Sequence, residues 1–254
     1  MRTEILKDNP WIAYHRPPVK PWLRLFCLPY AGGSASLYRH WQNLLGNEIE
    51  VCPVQPPGRE RRLSEPCMTR VDDIVRAMIQ ALDPAFDEPF AFFGHSLGAS
   101  VAYEACRSLS AKGRPPQALV VSGRRTPGLP ALVGPIYKLS DEEFRKEIFD
   151  LAGTPKEVLE HPELMELLTP MLRADFEMND TYEPSALPPL KCPIFAYTGI
   201  DDEDVPKADI EGWGEKTQGD FHLKVIPGDH FSPIQKPEEL VARIGRELTR
   251  LRDD

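Results

Sequence analysis

Several things are scarce in this sequence. No apolar run approaches the ~18 residues that a bilayer span needs. Met1 to Pro10 is charged and lacks the apolar core of a signal peptide. No long basic run appears, and 30 Lys and Arg against 39 Asp and Glu leave a formal charge of −9, which argues against a nucleic-acid partner. The five cysteines (Cys27, Cys52, Cys67, Cys106, Cys192) contain no C-x-x-C spacing and leave an odd number. Cys27, Cys52 and Cys192 lie in or beside apolar strand candidates and read as small buried hydrophobes, which fits a reducing cytoplasm. The expectation is a soluble cytoplasmic protein without a membrane or nucleic-acid partner.

Punctuation, by contrast, is plentiful. Proline occurs 27 times, often in pairs (Pro17-Pro18, Pro56-Pro57, Pro115-Pro116, Pro188-Pro189) that mark loops. Between these marks, residues 23–28, 49–54, 90–94, 118–122, 193–198 and 221–226 read as strands, with 11–14 as a further edge strand. Val71, Ile74, Val75, Met78, Ile79 and Leu82 match the helical template and predict an amphipathic helix packed on a sheet. Tyr38, Trp41 and Leu45 predict a short helix. Val241, Ile244, Leu248 and Leu251 form the stripe of a closing one. Strands alternating with helices demand right-handed crossovers and a mostly parallel sheet. The length suffices for one large α/β domain over residues 1–254.

The alternation breaks from 124 to 189. Ser140-Asp141-Glu142-Glu143 reads as a capping box for a helix that turns Phe144, Ile148 and Phe149 inward. A second helix near 162–182 carries Leu164, Leu167, Leu168, Met171, Leu172 and Phe176 on one side, and Pro170 is expected to kink or split it. An all-helical stretch this long reads as a lid inserted over an active site. The bland alternative is a structural helical layer.

The chemistry centres on Gly94-His95-Ser96-Leu97-Gly98. An apolar strand leads into it, and from Leu97 the apolar period (Leu97, Val101, Ala105, Leu109) becomes helical. A G-x-S-x-G sequence at a strand-to-helix turn is the context of a nucleophile elbow. There His95 is expected to point away from the nucleophile. A serine needs a base, which a third group orients, and in the α/β-hydrolase order the serine precedes the acid and the acid precedes the histidine. His15 and His40 precede the elbow, His161 lies in the helical stretch, and His222 lies within the last strand. His230, on the loop directly after that strand, is the expected base, because strand C-terminal ends form the site in such sheets. For the acid, Asp201, Asp202, Glu203 and Asp204 all follow the preceding strand, and spacing does not choose among them. The expected oxyanion donors are the backbone N–H groups of Leu97 and of the loop Ala31-Gly32-Gly33. A phosphate-cradling reading of that loop is weak, because no Gly-Lys-Ser/Thr completes a P-loop.

With these stretches in hand, the chain resembles the type II thioesterases of nonribosomal peptide and polyketide synthesis, which belong to the α/β-hydrolase superfamily. The similar stretches are Leu28-Pro29-Tyr30-Ala31-Gly32-Gly33-Ser34, Gln55-Pro56-Pro57-Gly58-Arg59-Glu60-Arg61, Phe93-Gly94-His95-Ser96-Leu97-Gly98, Leu172-Arg173-Ala174-Asp175-Phe176 and Pro227-Gly228-Asp229-His230-Phe231. The second and fourth are far more particular to this family than the elbow. The resemblance implies that Asp202 is the acid, because Gly199, Asp202 and Val205 match the family's spacing. It implies Ala31 and Leu97 as oxyanion donors, and neither metal nor cofactor. Its implied partner is an acyl- or peptidyl-carrier protein with a phosphopantetheine arm, with a monomer as the default state. Tyr30 stands where many members have histidine, and Glu203 where many have proline. Tyr30, Arg59, Arg124 and Arg125 are expected at the substrate rim, where arginines could meet the arm's phosphate or an acidic carrier surface. Internal pairing of Arg59 with neighbours such as Glu60 and Glu65 is the alternative. Rival activities are a medium-chain fatty acyl-carrier thioesterase, a carboxylesterase on the same fold, and a non-catalytic carrier-binding partner.

Overall fold

Six parallel strands carry the molecule: β1 (Leu23–Leu28), β2 (Ile49–Pro53), β3 (Phe90–His95), β4 (Ala118–Ser122), β5 (Ile194–Gly199) and β6 (Phe221–Ile226). Their order in the sheet is β2-β1-β3-β4-β5-β6. The structure is a computed structural model and describes residues 6–132, 134–151 and 161–253. Positions 1–5 of the N-terminal stretch and 152–160 of the helical stretch lie outside the described residues. Strands β1 to β5 are buried along their whole length. Parallel strands covered on both faces read as near-continuous apolar runs, and these do. β6 alternates half-buried and exposed positions, as an edge strand can.

Period-two alternation divides the core. Leu25, Ala91, Phe93, Val120, Phe195 and Tyr197 pack with Trp41 of α1 (Trp41–Leu45) and with Val241, Ile244 and Leu248 of the closing helix (Glu238–Asp253). Their neighbours Phe26, Phe92, Leu119, Val121 and Ala196 face α2 (Val71–Leu82) and α3 (Leu97–Ala111). All six residues of the predicted α2 stripe are buried. Asp72 and Asp73 sit in its first turn, where the helix dipole favours negative charge.

From β1 the chain steps outward to β2, then returns across β1 to form β3. The C-terminal ends of β1 and β3 therefore lie side by side at a topological switch point, the place where open α/β sheets bind ligands. Residues 11–14 do not form an edge strand. They make one antiparallel bridge, Ile12 to Val54, and Tyr14 turns away with φ +54°.

Between β4 and β5 the only extended pairing among the described residues is a single bridge, Leu190 to Thr217. The regular elements of this stretch are helical, chiefly α4 (Asp141–Asp150) and α5 (Pro162–Asp180), with loops before and after them. The capping box is present, with Glu143 N–H donating to Ser140 Oγ and Ser140 N–H to Glu143 Oε2. Phe144, Ile148, Met165, Met171 and Leu172 build a separate apolar cluster. Phe149, Leu164 and Leu167, expected inward, are exposed instead. Each precedes or follows a stripe residue by one position, which on a helix is a rotation of about 100°. The true line runs Met165, Leu168, Leu172 and Phe176. Pro170 does not split α5, which runs unbroken for 19 residues. Pro170 and Glu166 both face solvent, so water can take the carbonyl that proline leaves unbonded.

Candidate active site

The elbow is built as its sequence requires. Ser96 has φ 52° and ψ −120°, an energetically costly conformation for a non-glycine residue, and it ends β3 and caps α3 from outside the helix. Such strain persists only where the surroundings over-determine it. A side chain at Gly98 would meet Leu28 O at 2.3 Å, and one at Gly94 would meet Gly98 O at 2.2 Å. Only glycine lets β1, the turn and α3 close on each other this tightly. Ser96 Oγ does not cap the helix, and no hydrogen bond joins it to His230 among the described residues. In unliganded sites such bonds are commonly long and tighten on the substrate.

His230 follows β6 as expected, and its Nδ1 lies 3.0 Å from Asp202 Oδ2. Of the four candidate acids, Asp202 is the one that bonds His230 among the described residues. Its other oxygen accepts the backbone N–H groups of Asp204 (3.1 Å) and Val205 (3.2 Å), and its side chain is fully buried. Both oxygens are thereby occupied, and the carboxylate is held in one orientation. Asp202, Asp204 and His230 are close enough together to ligate a cation, as are His15, Glu50 and Cys52. In the first set Asp202 is already bonded to His230 and to the Asp204 and Val205 N–H groups; in the second Glu50 is held by Arg24 and His15 while burial pushes the Cys52 thiol well up.

The loop after β1 lies beside the elbow. Gly33 N–H donates to Tyr30 O, and Gly32 N–H to Asp175 Oδ2 at 2.7 Å. Within this loop Ala31 N–H is thus left without an internal acceptor among the described residues, as is Leu97 N–H at the start of α3. Tyr30 packs edge-on against His95 and Phe231. Behind Leu97 and Gly98 is an apolar cavity of about 20 Å³, enough for roughly one water, walled by Val54, Ile74, Met78, Val101 and Met178.

The arginines expected at the rim are largely engaged. Arg59 is buried, not at a rim, and pairs with neither Glu60 nor Glu65. It makes a two-pronged bond to Asp175 (2.7 and 2.8 Å) and also donates to Gly33 O. Burial opposes its charge, but the Asp175 carboxylate overcomes this and raises its pKa above the ordinary value. Arg125 pairs with Asp209 at 2.6 Å. Arg124 donates to Asn179 at the end of α5, and burial lowers its pKa. The Leu-Arg-Ala-Asp-Phe stretch now acquires a geometry. Leu172 covers Gly32 and Asp175 grips Arg59 and Gly32, while Arg173 and Phe176 turn to α4, where Arg173 stacks on Phe144 and bonds Asp141. The sequence marks this stretch as distinctive but assigns it no contact.

A parallel sheet with a strained serine at the end of its third strand, and a histidine–aspartate pair at the ends of its last two, defines an α/β hydrolase. Residues 23–248 match the model of the thioesterase domain family. The chain is 38% identical over 247 residues to the gramicidin S biosynthesis protein GrsT of Aneurinibacillus migulanus, covering 97% of this chain and 96% of that one. It is 40% identical over 225 residues to the thioesterase PikA5 of Streptomyces venezuelae, with coverage of 87% and 79%. The solved structure of the type II thioesterase BorB from the borrelidin biosynthetic cluster superposes with a TM-score of 0.85 at 35% identity, covering 94% of this chain and 97% of that one. The chain belongs to the thioesterase family, hydrolases that act on thioesters.

Proposed function

We propose that this protein is a free-standing type II thioesterase that clears acyl groups from the phosphopantetheine arms of acyl- or peptidyl-carrier proteins, with Ser96, His230 and Asp202 as its catalytic groups. The observation that carries this is the 3.0 Å pairing of His230 Nδ1 with a fully buried Asp202 carboxylate, at the same sheet edge as the strained Ser96. His230 Nε2 takes the proton of Ser96 Oγ as the oxygen attacks the thioester carbonyl. Asp202 holds the tautomer that leaves Nε2 free to do so and stabilises the imidazolium that results. The N–H groups of Leu97 and Ala31 receive the oxyanion. The intermediate collapses to an acyl-serine and a pantetheine thiolate, a leaving group that needs little acid assistance. Water activated by His230 then releases the carboxylic acid and restores Ser96.

The helical stretch over 124–189 is the lid in this reading. Relatives named for antibiotic biosynthesis and the borrelidin cluster supply the pathway setting. The free state of all five cysteines fits a cytoplasmic location. Hydrolysis rates across a panel of acyl-carrier substrates, each set against a matched oxygen ester, test the activity. A preference for oxygen esters would replace the thioesterase reading with an esterase one. Labelling by a fluorophosphonate probe is expected in the wild type and not in Ser96→Ala.

A further inference from the structure

Beneath His230 lies an imidazole that none of these steps uses. His95 is 0% exposed, and no side chain among the described residues bonds its ring nitrogens; the one polar group that bears on them is the backbone of His230. Ser122, its register partner on β4, also has a buried, unpartnered hydroxyl. Buried polar groups are nearly always bonded, and leaving one unbonded costs free energy that a hydrocarbon of similar shape would not. A fully buried imidazole with so little hydrogen bonding, set beside a candidate base, is a local rule broken at a candidate functional site.

Its neighbours indicate what it does. The His95 and His230 rings lie 5.0 Å apart, tilted by 51°. Phe231 stands edge-on to His230 at 4.9 Å, and Tyr30 edge-on to His95 at 5.8 Å. Gly123, just after β4, is wedged against both imidazoles. A β-carbon there would lie 2.7 Å from His95 Cε1 and 3.1 Å from His230 Cε1, and the residue has φ +57°. Burial first, and then the neighbouring His230 charge, lowers the His95 pKa well below the usual histidine range, opposed only in part by the His230 backbone. Asp202 and Asp204 face His230 from the loop after β5, Asp229 shares its loop, and Tyr30 lies beside His95 from the loop after β1.

We propose that His95 is a positioning residue for the base: a polar but uncharged seat that, together with Gly123, fixes the His230 ring and tolerates the charge it gains when Ser96 attacks. This rests on reading His230 as the base. A hydrocarbon in the same place would hold the ring's shape but surround the imidazolium with apolar surface, which disfavours the charged form.

The test compares the full-length wild type with His95→Leu, using S-acetyl-N-acetylcysteamine as a small thioester. The expected result is a thermal midpoint close to wild type, because leucine removes buried polar atoms while filling similar space. With it, kcat should fall about tenfold to a hundredfold at little change in KM. The acidic limb of the kcat/KM profile should shift to lower pH. Wild-type kcat in a folded variant overturns the proposal, as does a joint fall of kcat and Tm with the limb unmoved, the mark of a merely structural residue. If His95→Leu does not fold, Gly123→Ala decides by pushing a methyl between the two rings. Slowed fluorophosphonate labelling of Ser96 supports the seat, and wild-type labelling overturns it. His230→Ala runs in parallel. Retained activity there refutes the base assignment, whereas lost activity beside an unaffected His95→Leu refutes only the seat.

Discussion

The seam beneath the helical stretch and the seat beneath His230 are both buried and polar, but they follow opposite rules. In the seam, Arg59 meets both oxygens of Asp175, and Asp175 also takes the Gly32 N–H. Each charge has its counter-charge, and Leu172 seals the contact against Gly32. In the seat, no side chain among the described residues bonds the buried nitrogens of His95 or the hydroxyl of Ser122. A satisfied network has one arrangement and fastens elements together, here α5 to the loops after β1 and β2. A poorly satisfied one costs free energy at rest, and in the proposed reading it persists here for the charge that His230 gains. The difference separates what holds the fold from what serves the chemistry.

The comparison predicts that variants on the two sides fail differently. The largest effect belongs to the catalytic side. Asp202→Asn should lower kcat by about 10⁴, ~5.4 kcal/mol of barrier, because an amide stabilises the wrong His230 tautomer. Its thermal midpoint should stay close to wild type, and activity within tenfold of wild type would remove Asp202 from the mechanism. On the seam side, Asp175→Ala leaves a buried guanidinium unpaired and should cost about 3–5 kcal/mol of stability in denaturant titration. Below its melting range the variant should keep most of its kcat. The double variant Arg59→Met with Asp175→Leu should recover part of that stability, since no lone charge then remains. If Asp175→Ala proves as stable as wild type, the seam is not a fastener. The smallest effect lies further out in the helical stretch. Ser140→Ala removes an exposed cap and should cost about 1 kcal/mol, leaving kcat unchanged. A large loss of activity there would show that α4 bears on the chemistry more directly than the seam does.

Much of this architecture is legible in the amino-acid sequence. The strand runs, the α2 stripe and the Gly94–Gly98 turn are short-range patterns, and each folds as its period or turn chemistry requires. His230 is legible through its place after the last strand. The helical stretch is less so. Leu164 and Leu167 are as apolar as Leu168, and composition cannot say which of two adjacent faces a neighbour will cover. Arg59, expected at the rim, is buried for a related reason: charge is visible in a sequence, but the partner that neutralises it is not. Arg59 and Asp175 are 116 residues apart.

By itself, therefore, the sequence determined the parallel α/β sheet, the presented serine, the histidine after the last strand and the family. Each of these rests on local periodicity, turn stereochemistry or chain order, which are properties of short segments. Tertiary structure decided what residue spacing left open: which of the acidic residues after β5 meets His230, that Arg59 pairs with Asp175 of α5, and that His95 lies buried beside His230. These outcomes depend on the stagger of strands and the docking of a helix across long crossovers, where a shift of a single residue would change every partner.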